Sequence, residues 1–208
     1  MSAPPALNAV SFYSAFVAAV LHLRASRSAR ALGRWPRTTV CLAVAVMVPT
    51  IGQFAVPALL STLRRDAPAI ISGEWWRIAT ALFVQDGGLS GSVTNIAGLL
   101  LIGSVAESVW GGRTLVATFF AGGLCTEVVA LWWQPIGAGN SIANVSVAAS
   151  LAAWCLIRRW TRAAIIPAST AVVAWAILLG LRDIHGAAAV FGGLLGSGLC
   201  WRRADRSA

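Results

Sequence analysis

The sequence predicts an all-α protein that crosses a membrane several times, and three observations carry that reading. Of 208 residues, 58% are apolar and only 11% are charged, whereas soluble domains carry about 25% charged residues. Several apolar runs approach the roughly 20 residues that span a bilayer. The 16 basic residues are all arginines and give a net charge of +9. They fall in short clusters between the apolar runs, the pattern of positive loops retained on the cytoplasmic side and not that of a nucleic-acid surface.

Seven spans are expected, at roughly 8–23, 38–60, 92–110, 114–133, 139–157, 164–181 and 186–201. The first has no basic flank before it and is followed by Arg24, Arg27, Arg30, Arg34 and Arg37. That order suits a retained anchor with its N-terminus outside. Arg113, Arg158, Arg159, Arg162, Arg202, Arg203 and Arg206 then fall on the same cytoplasmic side, and segments 61–91, 134–138 and 182–185 lie outside. Three regions follow: 1–37, a transmembrane anchor with an Arg-rich linker; 38–201, the membrane domain; and 202–208, a cytoplasmic tail. Within 61–91, the stretch "GEWWR" puts Trp75 and Trp76 where aromatic rings favour the membrane–water boundary.

Cys41, Cys125, Cys155 and Cys200 stand apart in apolar stretches with no Cys-x-x-Cys. They read as small buried residues, without a disulfide framework or a metal site.

Polar side chains at membrane depth are expensive, so each one needs a reason. Asn95, Glu107, Glu127, Asn140, Ser141, Asn144, Ser146 and His185 are the candidates. Ser141 opens the fifth span and His185 the seventh, both toward the outer face, so a hydroxyl nucleophile and an imidazole base can meet at one depth. Pro135, Gly137 and Gly139 make 134–140 a poor helix, which leaves N–H groups free to stabilise an oxyanion. Asn95 can add a side-chain donor. The plainer readings are packing for Ser141, a solvated cap for His185 and interhelical bonding for Asn95. Glu107 reads as an ion pair with Arg113, His22 as interfacial, and Glu127 has no partner that the sequence names.

At these residues the chain resembles the rhomboid intramembrane serine proteases, over about residues 38–201. "GEWWRIATALF" (73–83) is similar to the family's Trp-Arg loop motif through Trp76 and Arg77. "TNIAGLLLIGSVAESVWGGR" (94–113) is similar to its second core helix, "GNSIANVSV" (139–147) to its Gly-x-Ser-Gly region, and "HGAAAVFG" (185–192) to its sixth core helix. The resemblance implies a six-helix rhomboid-like bundle plus one extra N-terminal helix. It further implies a bacterial plasma-membrane location and cleavage of a membrane-anchored protein by a Ser141–His185 dyad. It carries no third acid, metal or cofactor, and puts Asn95 at the oxyanion position. The pattern departs at Gly91, where the family has His, at Ile142, where it has Gly, and at Val145, where an aromatic often packs. The expected partners are a transmembrane protein and the lipid bilayer, with no nucleic acid. Two other classes stay open: an inactive rhomboid-like protein that binds transmembrane helices, and a small channel or transporter using Glu127.

Overall fold

Prolines and glycines between the apolar runs set the helix boundaries of this chain. The computed structural model describes residue 10 and residues 14–21, 36–158 and 161–204. Residues 14–21 belong to a first helix, α1. The chain continues through α2 (Arg37–Ala55), α3 (Ala58–Leu63), α4 (Ala67–Ile71), α5 (Arg77–Thr80) and α6 (Gly88–Trp110). It ends with α7 (Gly112–Trp133), α8 (Ser141–Ile157), α9 (Arg162–Gly180) and α10 (Ile184–Ala204). The expectation of a run to residue 60 fails at Ala55, because Pro57 has no N–H to donate and restricts Val56 before it.

Among the described residues, five helices, α2, α6, α7, α9 and α10, are long and apolar enough to cross a membrane. α8 has 17 residues, 13 of them buried, and forms the centre of the bundle. At about 1.5 Å per residue it is roughly 26 Å long, shorter than the about 30 Å hydrocarbon layer. The expected first span is described only in part, yet Ala15, Ala18 and Ala19 share the hydrophobic core with α2, α6 and α8. Their i, i+3, i+4 spacing makes one helical face, so α1 packs on the core. His22 and the arginines at 24–34 lie outside the described residues.

Between membrane helices there is little hydrophobic drive, so close packing and hydrogen bonds hold them together. α8 and α10 run parallel with small residues facing each other. Ser146 Oγ donates to the Ala188 carbonyl at 3.0 Å and Ser150 Oγ to that of Gly192 at 2.7 Å. A Cβ at Gly192 would sit 2.7 Å from Ser146 Cα, and one at Gly196 would sit 2.7 Å from Ser150 Cα. Only glycine permits this approach, and it brings the first turns of the two helices side by side.

Two sequence expectations are corrected at the opposite end. Glu107 accepts hydrogen bonds from Thr38 N (3.0 Å), Thr39 N (2.7 Å) and Thr39 Oγ1 (2.7 Å). It caps the start of α2 and takes up donors that helix leaves unpaired, in place of pairing with Arg113. Of the cysteines, Cys155 and Cys200 are buried, but Cys41 and Cys125 are exposed on the outer faces of their helices.

The α2–α6 connection is built around Arg77. Its Nε donates to Glu74 Oε2 at 2.7 Å, and Nη1 donates to the carbonyls of Ser61 (2.7 Å) and Arg64 (3.2 Å). One guanidinium thus holds three turns of chain together. Trp75 and Trp76 beside it are 65% and 52% exposed, as side chains meeting a membrane surface would be.

Candidate active site

The segment before α8 has to be non-helical, and its neighbours satisfy its backbone. Strands β1 (Arg65–Asp66) and β2 (Ile136–Gly137) pair antiparallel, with Arg65 opposite Gly137. Asp86 Oδ2 accepts from Ala138 N at 2.9 Å, and Gly139 N donates to the Ala81 carbonyl at 2.9 Å. Gly139 has φ +143°, where an L side chain is strained, and a Cβ there would lie 3.1 Å from Gln85 Oε1. The chain enters α8 through Asn140, which makes no side-chain cap, so the first N–H groups of α8 lack one. Those donors sit at the positive end of the helix.

Ser141 and His185 meet there. Ser141 Oγ lies 3.0 Å from His185 Nε2. The other ring nitrogen, Nδ1, lies 2.6 Å from Asp183 Oδ1, which also accepts the His185 backbone N–H at 2.9 Å. A carboxylate only accepts, so Nδ1 carries the hydrogen and Nε2 is the basic nitrogen facing the serine. The result is a Ser–His–Asp arrangement, where the resemblance carried no third acid. The missed signal was in "RDIH": an Asp at the N-cap of a helix reaches the N–H two residues on, and here that residue is the histidine.

Asn95 behaves differently from the expectation. Its Nδ2 donates to Gln85 Oε1 at 2.7 Å, and its carbonyl accepts from Asn144 Nδ2 at 2.9 Å. It does not line the cavity at the serine. Nδ2 would nonetheless lie 3.4 Å from a Cβ at Gly139, and Ser141 Oγ 3.7 Å from the same point. An amide nitrogen carries two hydrogens, so one is left after the bond to Gln85.

Asn95 belongs to a buried polar network that the sequence did not reveal. Gln53 Nε2 donates to the Gln85 carbonyl at 2.6 Å, and Gln85 N donates to Gln53 Oε1 at 2.9 Å. Gln85 Nε2 donates to Asn140 Oδ1 at 2.8 Å, and Asn140 Nδ2 donates to Asn144 Oδ1 at 3.1 Å. α2, α6 and α8 are tied together one residue before Ser141. Of the departures, Ile142 is 1% exposed and packs in the core, Val145 is 4% exposed, and a Cβ at Gly91 would meet nothing within 4 Å.

A cavity of about 130 Å³ opens at the serine, lined by Ser141, Ile142 and His185 together with Arg65, Glu127 and Gly137. Arg65 supplies the partner of Glu127. Among the described residues, no cluster of three or more His, Cys, Asp or Glu could hold a metal ion. No protein-family model matches the chain, and no curated protein matches it.

Proposed function

We propose that this chain is a rhomboid-type intramembrane serine peptidase that cleaves a membrane-anchored protein. The observation that carries the reading is the 3.0 Å contact between Ser141 Oγ and His185 Nε2 inside a recessed cavity. In the first step the Ser141 oxygen bonds to the scissile carbonyl carbon while its proton passes to Nε2. The carbonyl oxygen takes the negative charge and is met by the uncapped N–H groups at the start of α8, with the second Nδ2 hydrogen of Asn95 as a further donor. Collapse breaks the C–N bond, and the imidazolium returns the proton to the leaving amine. Water, deprotonated by the same histidine, then hydrolyses the acyl-serine. Asp183 orients the ring and stabilises its positive form.

The site end is proposed to face away from the cytoplasm. Arg37, Arg113, Arg158 and Arg162 mark the opposite ends of α2, α7, α8 and α9, and such arginines are retained inside.

The test is a serine-reactive phosphonate applied to the purified protein in detergent. Labelling is expected in wild type and absent in Ser141→Ala and in His185→Ala. A second reading, binding of transmembrane helices without chemistry, is favoured only by the commitment of one Asn95 hydrogen to Gln85. It predicts no labelling, together with a client helix that co-purifies equally with wild type and Ser141→Ala.

A further inference from the structure

The segment from Gln134 to Gly139 carries the chain into α8, and its two glycines leave the backbone little stiffness of its own. Five of its six residues, Gln134, Ile136, Gly137, Ala138 and Gly139, line the cavity at Ser141. α8 begins beside it without a side-chain cap, and N–H groups at a helix start need acceptors. The nearest carbonyls in sequence belong to this segment, and three of them are engaged elsewhere. Arg65 Nε donates to the Gln134 carbonyl at 2.9 Å. Ala67 N donates to that of Pro135 at 3.0 Å, and Asp86 N to that of Ala138 at 3.5 Å. Asp86 Oδ2 also accepts from Ala138 N at 2.9 Å. Arg65, 2% exposed, is held in turn by its ion pair with Glu127, 0% exposed. Both side chains pass close to Gly137, where a Cβ would lie 2.5 Å from Arg65 Nη2 and 3.5 Å from Asp86 Oδ2. The β1–β2 pairing has two residues on each strand, too few to fix the segment alone.

We propose that Arg65 and Asp86 are positioning residues that grip the 134–139 segment at its two ends and keep its carbonyls off the first N–H groups of α8. Those donors are thereby left to the oxyanion of a substrate. The proposal rests on the peptidase reading and adds to it two residues that touch neither substrate nor reacting atoms. Glu127 acts one step further away, by holding the Arg65 guanidinium in register with the Gln134 carbonyl. Once either grip is lost, the glycine-containing segment is free to turn a carbonyl toward α8 and cap it. A capped helix start gains stability, but its N–H groups no longer meet the developing negative charge. The cost therefore falls on the rate of the chemical step and not on folding or on binding.

The experiment uses the full chain in detergent and one serine-reactive peptidyl phosphonate over a range of concentrations. This separates the affinity of the reversible complex, Ki, from the labelling rate at saturation, kinact. Arg65→Lys keeps the charge beside Glu127, but one ammonium cannot reproduce the fork that reaches Glu127 and Gln134 together. Its kinact is expected to fall by about 10- to 100-fold, the scale of a displaced oxyanion donor, with Ki changed only a few-fold. Asp86→Ala, at an exposed position, is expected to do the same. The conservative variants dissociate rate from stability. Glu127→Gln keeps an oxygen acceptor for Nη1 but leaves a buried cation without its counter-charge. It should unfold at lower temperature yet label at close to the wild-type kinact. Asp86→Asn keeps an oxygen for Ala138 N and should also label normally. Wild-type kinact in folded Arg65→Lys and Asp86→Ala overturns the proposal and leaves the peptidase reading intact. So do losses in Glu127→Gln and Asp86→Asn as deep as those in Arg65→Lys and Asp86→Ala, since charge and not the grip would then be at work. Should Arg65→Lys not fold, the Asp86 pair decides. Failure of wild type to label overturns the peptidase reading and the proposal with it.

Discussion

Gly192 rests on the backbone of Ser146, and this contact sets the distance at which Ser141 and His185 meet. The two catalytic candidates lie on the turns just before Ser146 and Ala188, where the first α8–α10 hydrogen bond forms. Separating the helices here separates Ser141 from His185. Gly192→Leu is therefore expected to destabilise the protein by about 3 kcal/mol, at the upper end for overpacking, and to abolish phosphonate labelling in whatever fraction folds. Gly193 is the control, since a Cβ there meets nothing within 4 Å. Gly193→Ala should leave labelling intact and raise stability by up to about 1 kcal/mol through helix propensity. Thermal unfolding in detergent reads both.

Asp183 performs two tasks, capping α10 and holding the His185 ring, and two substitutions separate them. Asn is as good an N-cap as Asp, so Asp183→Asn should leave the unfolding temperature nearly unchanged. Its amide has no charge with which to stabilise the imidazolium, and kcat should fall by about 10²-fold or more with KM little altered. Asp183→Ala removes the cap as well and should lose about 1 kcal/mol of stability in addition. If Asp183→Asn retains full kcat, the aspartate is a cap alone.

Much of this arrangement was legible because hydropathy and polarity conflict so openly in a membrane chain. Runs of apolar residues located the helices, and Ser141 and His185 stood out as polar groups where lipid-facing residues were expected. What stayed hidden were pairings between residues far apart in the chain. Glu127 and Arg65 are 62 positions apart and meet only because β1 lies on the segment before α8. Gln53 and Gln85 have no periodic signature, and an uncharged amide near a helix end draws no attention. Glu107 misled for a related reason. The nearest cation in sequence, Arg113, looked like its partner, whereas the free N–H groups of α2 were its neighbours in space. Asp183 was readable, but as a cap.

Glu107 supplies a test of how local the site is. It lies twelve residues after Asn95 on α6, about 18 Å along the helix axis. Glu107→Ala strands the N–H groups of Thr38 and Thr39, which should cost about 1–3 kcal/mol of stability. Labelling of the folded protein should keep its wild-type rate. A slowed rate at full folding would mean that the start of α2 communicates with Ser141.

The reverse outcome is expected at Gln85, where one side chain holds two others in place. Gln85→Leu leaves Asn95 Nδ2 and Asn140 Oδ1 without their partner. At about 1–3 kcal/mol for each stranded buried group, the loss is a large part of a typical folding free energy. It also frees Asn140, the residue before Ser141, and the Asn95 amide beside it. Labelling should slow even at temperatures where circular dichroism shows the helices fully formed. Gln53→Met strands only the Gln85 backbone groups. It should lower stability with a smaller effect on rate, because Gln85 keeps its own bonds to Asn95 and Asn140. Equal effects of the two substitutions on rate would show that the network acts through general packing and not through the position of Asn140.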